Sequence, residues 1–347
     1  MATVVGNTST SVEAPPVTPE RIMQMGWGYA PTLILEAAVR HGVFDVLDHG
    51  PKNLAELQKA SGASERGLRA ILNVLVALQL LSKDSNGNYS LTPESSAFLV
   101  SGRPGYMGGL IRHTSDDLIP KWLHLTEVVK TGGPTRAVNE EGAGAEFFEK
   151  FVNDIFPMSY PAAQDLAKYL RLDVMSGDVS VLDLAAGSGV WGIALAQSAP
   201  QVRVSAVDWP GVLKITRKNA EKFKLSDRFS FREGDLHEAD FGSGYQVATL
   251  GHILHSEGEE RSKKLLAKTF DALASGGTIA IAEFLVNEDR SGPVNGLIFA
   301  VNMLVNTDQG GTYSFEEISR WLVEAGFVEV RTLASRGPSP LILANKP

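Results

Sequence analysis

Cysteine is absent from all 347 residues. Its absence excludes disulfides, a thiolate metal site and a cysteine nucleophile, and leaves the redox state of the compartment open. No apolar run approaches the roughly 18 to 20 residues that a membrane helix needs. Basic residues are in deficit, with 32 Lys and Arg against 40 Asp and Glu and a formal net charge of −8. That balance argues against a surface for nucleic-acid phosphates, which requires a basic face. The N-terminus has neither a basic start nor an apolar stretch, so no secretory signal is expected. Rich in Thr, Ser, Val and Pro, residues 1–18 are expected to form a disordered tail, and the expected location is the cytoplasm. What remains is ordinary for a soluble globular protein: 44% hydrophobic and 21% charged residues, in a chain long enough for two domains and a sizeable core.

Residues 19–107 read as one unit. Ile34, Leu35, Ala38 and Val39 fall at helical spacing, and Gly42 ends that helix. Asn53 and Ser64 each precede a further helical stretch as N-caps. Asn86-Gly87 then marks a hairpin between two short strands. Three helices and a hairpin in this order form a winged-helix module. A DNA-reading role would fall to the third helix, ERGLRAILNVLVALQLL, whose cations, Arg66 and Arg69, both lie in its first turn. The remainder is apolar on nearly every side, so the helix is expected to be buried rather than laid in a groove. The module is therefore expected to serve dimerisation.

Residues 108–176 read as a helical linker, with one helix over LIPKWLHLTEVVKTG and another over AEFFEKFVNDIFPMSYPAAQDLAKYL, joined by a loop. Phe147, Phe148, Phe151, Phe156 and Met158 on the second suit either core packing or the wall of a substrate pocket. From 177 to 347 strands and helices alternate. VSVLDL, VRVSAVD, FSFREGD, QVATLGHIL and TIAIAEFL are separated by helical patterns, which implies a parallel sheet covered on both faces. Too few residues separate VEVRTL from PLILANK for a crossover helix, so the last strand is expected to be antiparallel. The fold class is thus α/β, a Rossmann-like sheet behind a mainly α N-terminal module.

The strand SVLDL ends at Asp183, AAGSG follows, and a helix begins near Val190. A helix start offers unpaired N–H groups and partial positive charge. Gly187 and Gly189 let a ligand approach the backbone with no Cβ in the way. Ala185 and Ala186 stand where a dinucleotide fingerprint would carry glycine, which weakens a nicotinamide-dehydrogenase reading. The next strand ends at Asp208, placed like the acid that grips ribose hydroxyls. The third is followed by Asp235 and Leu236, an acid for an exocyclic adenine amine and a cover for the ring. Ligands of such sheets bind at the carboxyl ends of strands, where all of these residues fall.

VLDLAAGSG, AVDWP, EGDL, LGHILH and GGTIAIAEF, in this order, resemble the class I S-adenosylmethionine (SAM) dependent methyltransferases. Together with the N-terminal module and helical linker, the chain from Pro19 onward resembles the small-molecule O-methyltransferases, a family that includes plant phenolic, acetylserotonin and bacterial tailoring enzymes. The resemblance implies a homodimer formed through the N-terminal module, SAM as cofactor and a small-molecule acceptor. It assigns the Asp183–Gly189 loop, with Ala185 and Gly187, to the methionine part of SAM. Asp208 and Trp209 go to the ribose end, and Asp235 and Leu236 to adenine. Gly251 and His252 stand at cofactor-binding positions where plant members carry a lysine and a tryptophan, so one cofactor contact is missing or supplied from elsewhere.

The same resemblance makes His255 the general base and Glu283 the acid that orients it. The second orienting acid of plant members is missing, because Thr312 or Tyr313 falls at its position. Asn302 and Asn306, with Phe151 and Met158, are candidates for the substrate wall; Arg112, His113, Trp122 and His124 are weaker ones. His252 and His255, three apart, with Glu257 and Glu283 nearby, raise the question of a metal. The helix FAVNMLVN carries Asn302 and Asn306 where a further ligand histidine would be needed, and no metal is expected. The expected function is methylation of a small-molecule hydroxyl. The alternatives are C-methylation of a 2-oxo acid, metal-assisted or not, and a SAM-binding winged-helix regulator.

Overall fold

The structure of the chain, a computed structural model, describes residues 17–134, 137, 148 and 151–347. Most of the expected tail, the expected loop after Pro134 and Phe147 lie outside the described residues. The N-terminal module contains α1 (Glu20–Gly26), α2 (Ala30–Arg40), α3 (Val43–Leu47), α4 (Leu54–Ser61) and α5 (Glu65–Ala77), then β1 (Leu81–Lys83), β2 (Tyr89–Leu91) and α6 (Pro93–Phe98). Gly42 adopts φ +64° between α2 and α3. The Asn53 side chain accepts from Glu56 N–H and the Ser64 hydroxyl from Gly67 N–H, so both caps act as the sequence predicts. Leu68, Leu72 and Leu75 of α5 join Ala38, Val43, Phe44 and Leu57 in one core.

Helix α5 differs from the expectation of burial on every side. Its i, i+4, i+7 stripe of leucines is buried, while Asn73 and Ala77 are exposed and Leu78 beyond it is 44% exposed. The cause is the neighbourhood: α2, α4 and β1 cover a single face. Helix α1 contributes nothing to this core, and Ile22, Met23, Met25 and Trp27 stand 63% or more exposed.

The linker departs from two long helices. α7 (Gly108–His113), a π-helical turn (Thr114–Leu118), α8 (Ile119–Trp122) and α9 (Leu125–Thr131) replace the first. Pro120 has no N–H to return to the carbonyl four residues back, so the α-helical ladder cannot run through it. The second is interrupted by turns at 152–155 and restarts as α10 (Phe156–Leu170) with Pro157 in its first turn, where proline is favoured, and a further proline, Pro161, inside the helix.

The large sheet contains β3 (Val179–Leu184), β4 (Val202–Asp208), β5 (Phe229–Glu233), β6 (Tyr245–Gly251), β7 (Leu273–Ala282), β8 (Val328–Leu333) and β9 (Leu341–Asn345), in spatial order β5-β4-β3-β6-β7-β9-β8. Pairs within the first five strands are parallel, and β9 runs antiparallel to both β7 and β8. Its helices are α11 (Val190–Ser198), α12 (Pro210–Lys222), α13 (Leu254–Ala272), α14 (Val294–Asn306) and α15 (Phe315–Glu324). Alternate residues of β3 supply opposite faces, as a pleated strand requires: Val179 and Val181 enter one core with α10 and α11, Leu182 and Leu184 the other with α13 and α15. Helix α11 is apolar all round and buried from Val190 to Ala196, because the sheet lies on one side and α10 on the other. The connection order reverses between β3 and β6, which opens a crevice at their carboxyl ends.

A capping box fixes the start of α15, just after Thr312 and Tyr313. The Ser314 hydroxyl accepts from Glu317 N–H at 3.1 Å, and the Glu317 carboxylate accepts from Ser314 N–H at 2.8 Å. Ser314→Ala is expected to lower stability by about 1 kcal/mol, read as a lower urea midpoint at unchanged slope.

Candidate active site

The loop after β3 is held by two carboxylates. Asp183, fully buried, accepts from Gly192 N–H at 3.0 Å and from the Thr249 hydroxyl at 2.7 Å. It thereby joins β3, α11 and β6. Asp208, at the tip of β4, accepts from Gly187 N–H at 2.8 Å and from Trp209 N–H at 2.7 Å. Ala185 (φ +50°) and Gly187 (φ +55°) both take the left-handed conformation, which costs alanine more than glycine and is concentrated at functional sites. Burial pushes Asp183 up to about 7, against the bonds from Thr249 and Gly192. Burial likewise pushes Asp208 up to about 6, against its two backbone donors.

A cavity of about 380 Å³ opens over these strand ends, within the range of small-molecule sites. Its wall includes Ala185, Gly187, Asp208, Trp209, Asp235 and Leu236 on the loop side, then Gly251, His252 and His255 beyond β6. Two expected cofactor residues stand outside it. Asp183 lies beneath the loop with its oxygens already engaged, and the expectation that it meets the cofactor is corrected to a role in shaping the loop. Gly189 also lies off the wall; a Cβ there would press on the Thr216 methyl at 2.8 Å, so its glycine serves packing and the φ of +76° at the α11 N-cap.

Beyond β6 the chain places His255 in the first turn of α13. His255 Nδ1 is 2.8 Å from the Glu283 carboxylate, which also accepts from the His255 backbone N–H at 3.2 Å. Glu283 itself is buried outside the cavity wall, directly after β7. Burial alone would push its carboxyl up, but the His255 charge and hydrogen bonds hold it below the usual carboxylate range. Phe299 packs edge-on against His255, with ring centroids 4.9 Å apart. The turn carrying His255 depends on Gly258, which has φ +76° and no room for a Cβ against Gln309 at 2.8 Å.

His252 holds φ +61°, and its buried Nδ1 has no hydrogen-bond partner among the described residues. Burial lowers its pKa to about 4, so the ring is neutral at pH 7. His252, His255 and Glu283 each bring a ligand atom within 4.8 Å of the others. Two of these three donors are engaged with each other, which is the arrangement of an oriented imidazole. Glu257 is not part of this group; it bonds His237 Nε2 and Arg261 Nε, each at 2.7 Å.

The far wall of the cavity carries Phe151, Met158, Asn302 and Asn306, all expected from the sequence. His113 also reaches it, whereas Arg112 donates to the Tyr106 hydroxyl at 3.0 Å and His124 is exposed. Trp122 reaches the site indirectly, by donating to Asn302 Oδ1 at 3.0 Å. Phe284, Phe299 and Trp191 line the cavity as well, although the sequence assigns none of them a role. The one signal for Trp191 is its position directly after the glycine loop. Its indole nitrogen occupies the space a Cβ on Gly251 would take, and it has no acceptor among the described residues. A free donor, two left-handed loop residues and acids at successive strand tips fit a charged nucleoside cofactor with an amino-acid tail.

A parallel sheet with its crevice at the switch point, and an imidazole oriented by a buried glutamate beside it, define a Rossmann-like group-transfer enzyme. Residues 122–328 match the O-methyltransferase domain family, and residues 23–101 match the O-methyltransferase dimerisation domain. The chain is 33% identical to the 3-hydroxy-5-methyl-1-naphthoate 3-O-methyltransferase of Streptomyces sahachiroi, over 92% of each chain. It is 30% identical to the tetracenomycin polyketide synthesis 8-O-methyl transferase of Streptomyces glaucescens, over 95% of this chain and 97% of that one. The crystal structure of PigF with SAH superposes with a TM-score of 0.84 at 25% identity, over 95% of this chain and all of the other. The chain belongs to the O-methyltransferase family: it is a SAM-dependent enzyme that methylates a small-molecule hydroxyl. Among the described residues no helix is long and apolar enough to cross a membrane.

The folded state favours protonated Asp183, since its pKa lies above the ordinary 3.8. That stabilisation is complete below about pH 4 and is lost as pH rises to about 7. Asp183→Asn, neutral throughout, is expected to gain on the natural protein by up to about 1.4 kcal/mol per pH unit across this interval. Thermal melts of both proteins near pH 4.5 and pH 7 test this; a constant difference between them would contradict it.

Proposed function

We propose that His255 is the general base of the methyl transfer and Glu283 its orienting acid. The observation that carries this reading is the 2.8 Å contact between His255 Nδ1 and Glu283, which leaves Nε2 as the ring atom for the acceptor. SAM supplies an activated methyl on a sulfonium and departs as S-adenosylhomocysteine. As the acceptor oxygen forms its bond to the methyl carbon, the proton of its hydroxyl passes to His255 Nε2, and Glu283 stabilises the imidazolium. A phenol near pKa 10 and an imidazole near 6.5 differ by about 4 to 5 kcal/mol, so the proton moves with bond formation rather than before it. Alignment of donor and acceptor supplies a further 7 to 11 kcal/mol, roughly.

Around this pair, residues 177–347 form the cofactor domain and residues 108–176 give the acceptor pocket its second wall. Ala185 and Gly187 meet the amino-acid end of SAM, Asp208 and Trp209 the ribose, and Asp235 and Leu236 the adenine. Gly251 and His252 border the cofactor as well, and Trp191 supplies it with an indole N–H donor beside them. Phe151, Met158, Asn302 and Asn306 face the acceptor. Residues 19–107 form a homodimer, a reading supported by the exposed Ile22, Met23, Met25 and Trp27 and by the dimerisation family matched there. A cytoplasmic location, where SAM is available, completes the reading.

His255→Ala is expected to lower kcat by roughly 10²- to 10⁴-fold with SAM affinity by calorimetry unchanged; full turnover in that variant would remove the base from His255. Trp191→Phe, which keeps the ring and removes the N–H, is expected to weaken SAM binding by about 3- to 10-fold, the worth of one hydrogen bond. An unaltered affinity would return Trp191 to a packing role.

A further inference from the structure

Two carboxamides of α14, one helical turn apart, are wired to the linker. Lys121 Nζ donates to Asn306 Oδ1 at 2.9 Å. Asn306 Nδ2 donates to the Asn302 carbonyl at 2.8 Å and to Asn302 Oδ1 at 3.2 Å. Trp122 Nε1 donates to the same Asn302 Oδ1 at 3.0 Å. An ammonium and an indole N–H can only donate. Lys121 therefore forces the oxygen of Asn306 toward the linker and its nitrogen toward Asn302. Trp122 forces the oxygen of Asn302 toward itself. Neither amide can turn over without losing a fixed donor. Of the four heteroatoms in the two carboxamides, Asn302 Nδ2 alone lacks a partner among the described residues, and Asn302 is on the cavity wall.

The donors run in one direction, from Lys121 through Asn306 to Asn302. Hydrogen bonds in such a chain polarise one another, and a cation at its head strengthens the donor at its tail. The wall also carries Phe151, Met158, Phe284 and Phe299, with His113 packed on Phe151. A flat aromatic body suits those rings, and the polar demand fixed by this chain of donors is for an acceptor. Asn302 lies three residues after Phe299, which packs against His255, so the demand falls about one helical turn, roughly 5 Å, beyond the ring that flanks the base.

We infer that Lys121, Asn306 and Asn302 form a directed hydrogen-bond relay that selects acceptors carrying an oxygen acceptor, a ketone or a carboxylate, across the aromatic system from the hydroxyl that is methylated. This rests on the acceptor-pocket reading above and assigns to Lys121 a positioning role. Acceptors with a hydroxyl donor alone at that end would gain less, because a hydroxyl must turn a lone pair to the amide and leave its own proton against an apolar wall.

The test is binding to the protein loaded with S-adenosylhomocysteine, by calorimetry, of 2-naphthol, 6-acetyl-2-naphthol and 6-hydroxy-2-naphthoate. The natural protein is expected to bind the ketone or the carboxylate at least about 10-fold more tightly than 2-naphthol. A preference for the carboxylate over the ketone assigns the relay to anions, and the reverse assigns it to carbonyls. Lys121→Met is expected to cut the preference by about 5-fold or more while leaving 2-naphthol affinity within about 2-fold, and Asn302→Ala is expected to abolish the preference; Lys121→Arg should restore most of it. Equal binding of all three compounds, weak binding of all three, or an undiminished preference in Lys121→Met would overturn the relay. Turnover of 2-naphthol with SAM, in the natural protein and in His255→Ala, reports separately on the base. A failure there leaves the binding comparison intact.

Discussion

The buried contact of Asp183 with Gly192 N–H and the Thr249 hydroxyl is the constraint on which the cofactor crevice depends. One carboxylate ties the end of β3 to the first turn of α11 and to β6, the strand across the switch point. The loop between is then too short to relax, and it must pass through left-handed residues at Ala185 and Gly187. Asp208 draws that loop toward β4 by the Gly187 N–H. Asp183 is buried and Asp208 half-buried, and burial raises the pKa of both, so the loop's shape is held against an electrostatic cost. Such a cost is characteristic of functional sites rather than of packing.

Beside this frame, the chemistry needs few parts. The tip of β6 carries His252 and then His255, and β7 delivers Glu283 alongside. Phe299 of α14 closes over the imidazole, and Gly258 lets α13 bend away at once. The imidazole of His255 is held by Glu283 and by aromatic contacts with Phe284 and Phe299. A neutral His252 adds no competing charge. Close to the imidazole the site concentrates its polarity at one contact, while the acceptor side of the wall mixes aromatic rings with polar groups, among them His113, Asn302 and Asn306.

The strands of the sheet, their ends and the residues at those ends are legible in the sequence, because period, burial and turn chemistry are local properties. Asn53, Ser64 and Ser314 act on neighbours three residues away, and the spacing alone marks the first two as caps. Asp183 escapes a correct assignment for the opposite reason. A strand-end acid looks the same in sequence whether it faces the ligand or the loop, and only the register of β3 against β6, which puts Thr249 beside it, decides. Trp191 is hidden because its place depends on Gly251, a glycine distant in the chain. The linker pattern suggests two helices, although Pro120 and Pro157 are visible and each marks a restart. The exposed side of α5 cannot be read at all, since hydrophobic pattern does not say how many neighbours there are to cover it.

The break at 152–155 has a consequence for how such an enzyme can be rebuilt. Helix α10 belongs to the same core as α11 and the sheet, through Ala162, Ala163, Leu166 and Ala167, so it is inseparable from the cofactor loop. The pieces before the break border the cavity at Leu110, His113 and Leu118. A chimera that imports another enzyme's linker has its natural seam at Ile155, inside what reads as one continuous helix, rather than at the expected boundary near Gly177, and it keeps Met158 of the wall on α10. Exchange of α7 to α9 as a cassette would carry Lys121 and Trp122 along and leave their partners on α14 behind, so a working graft is a matched pair of segments, not a single one.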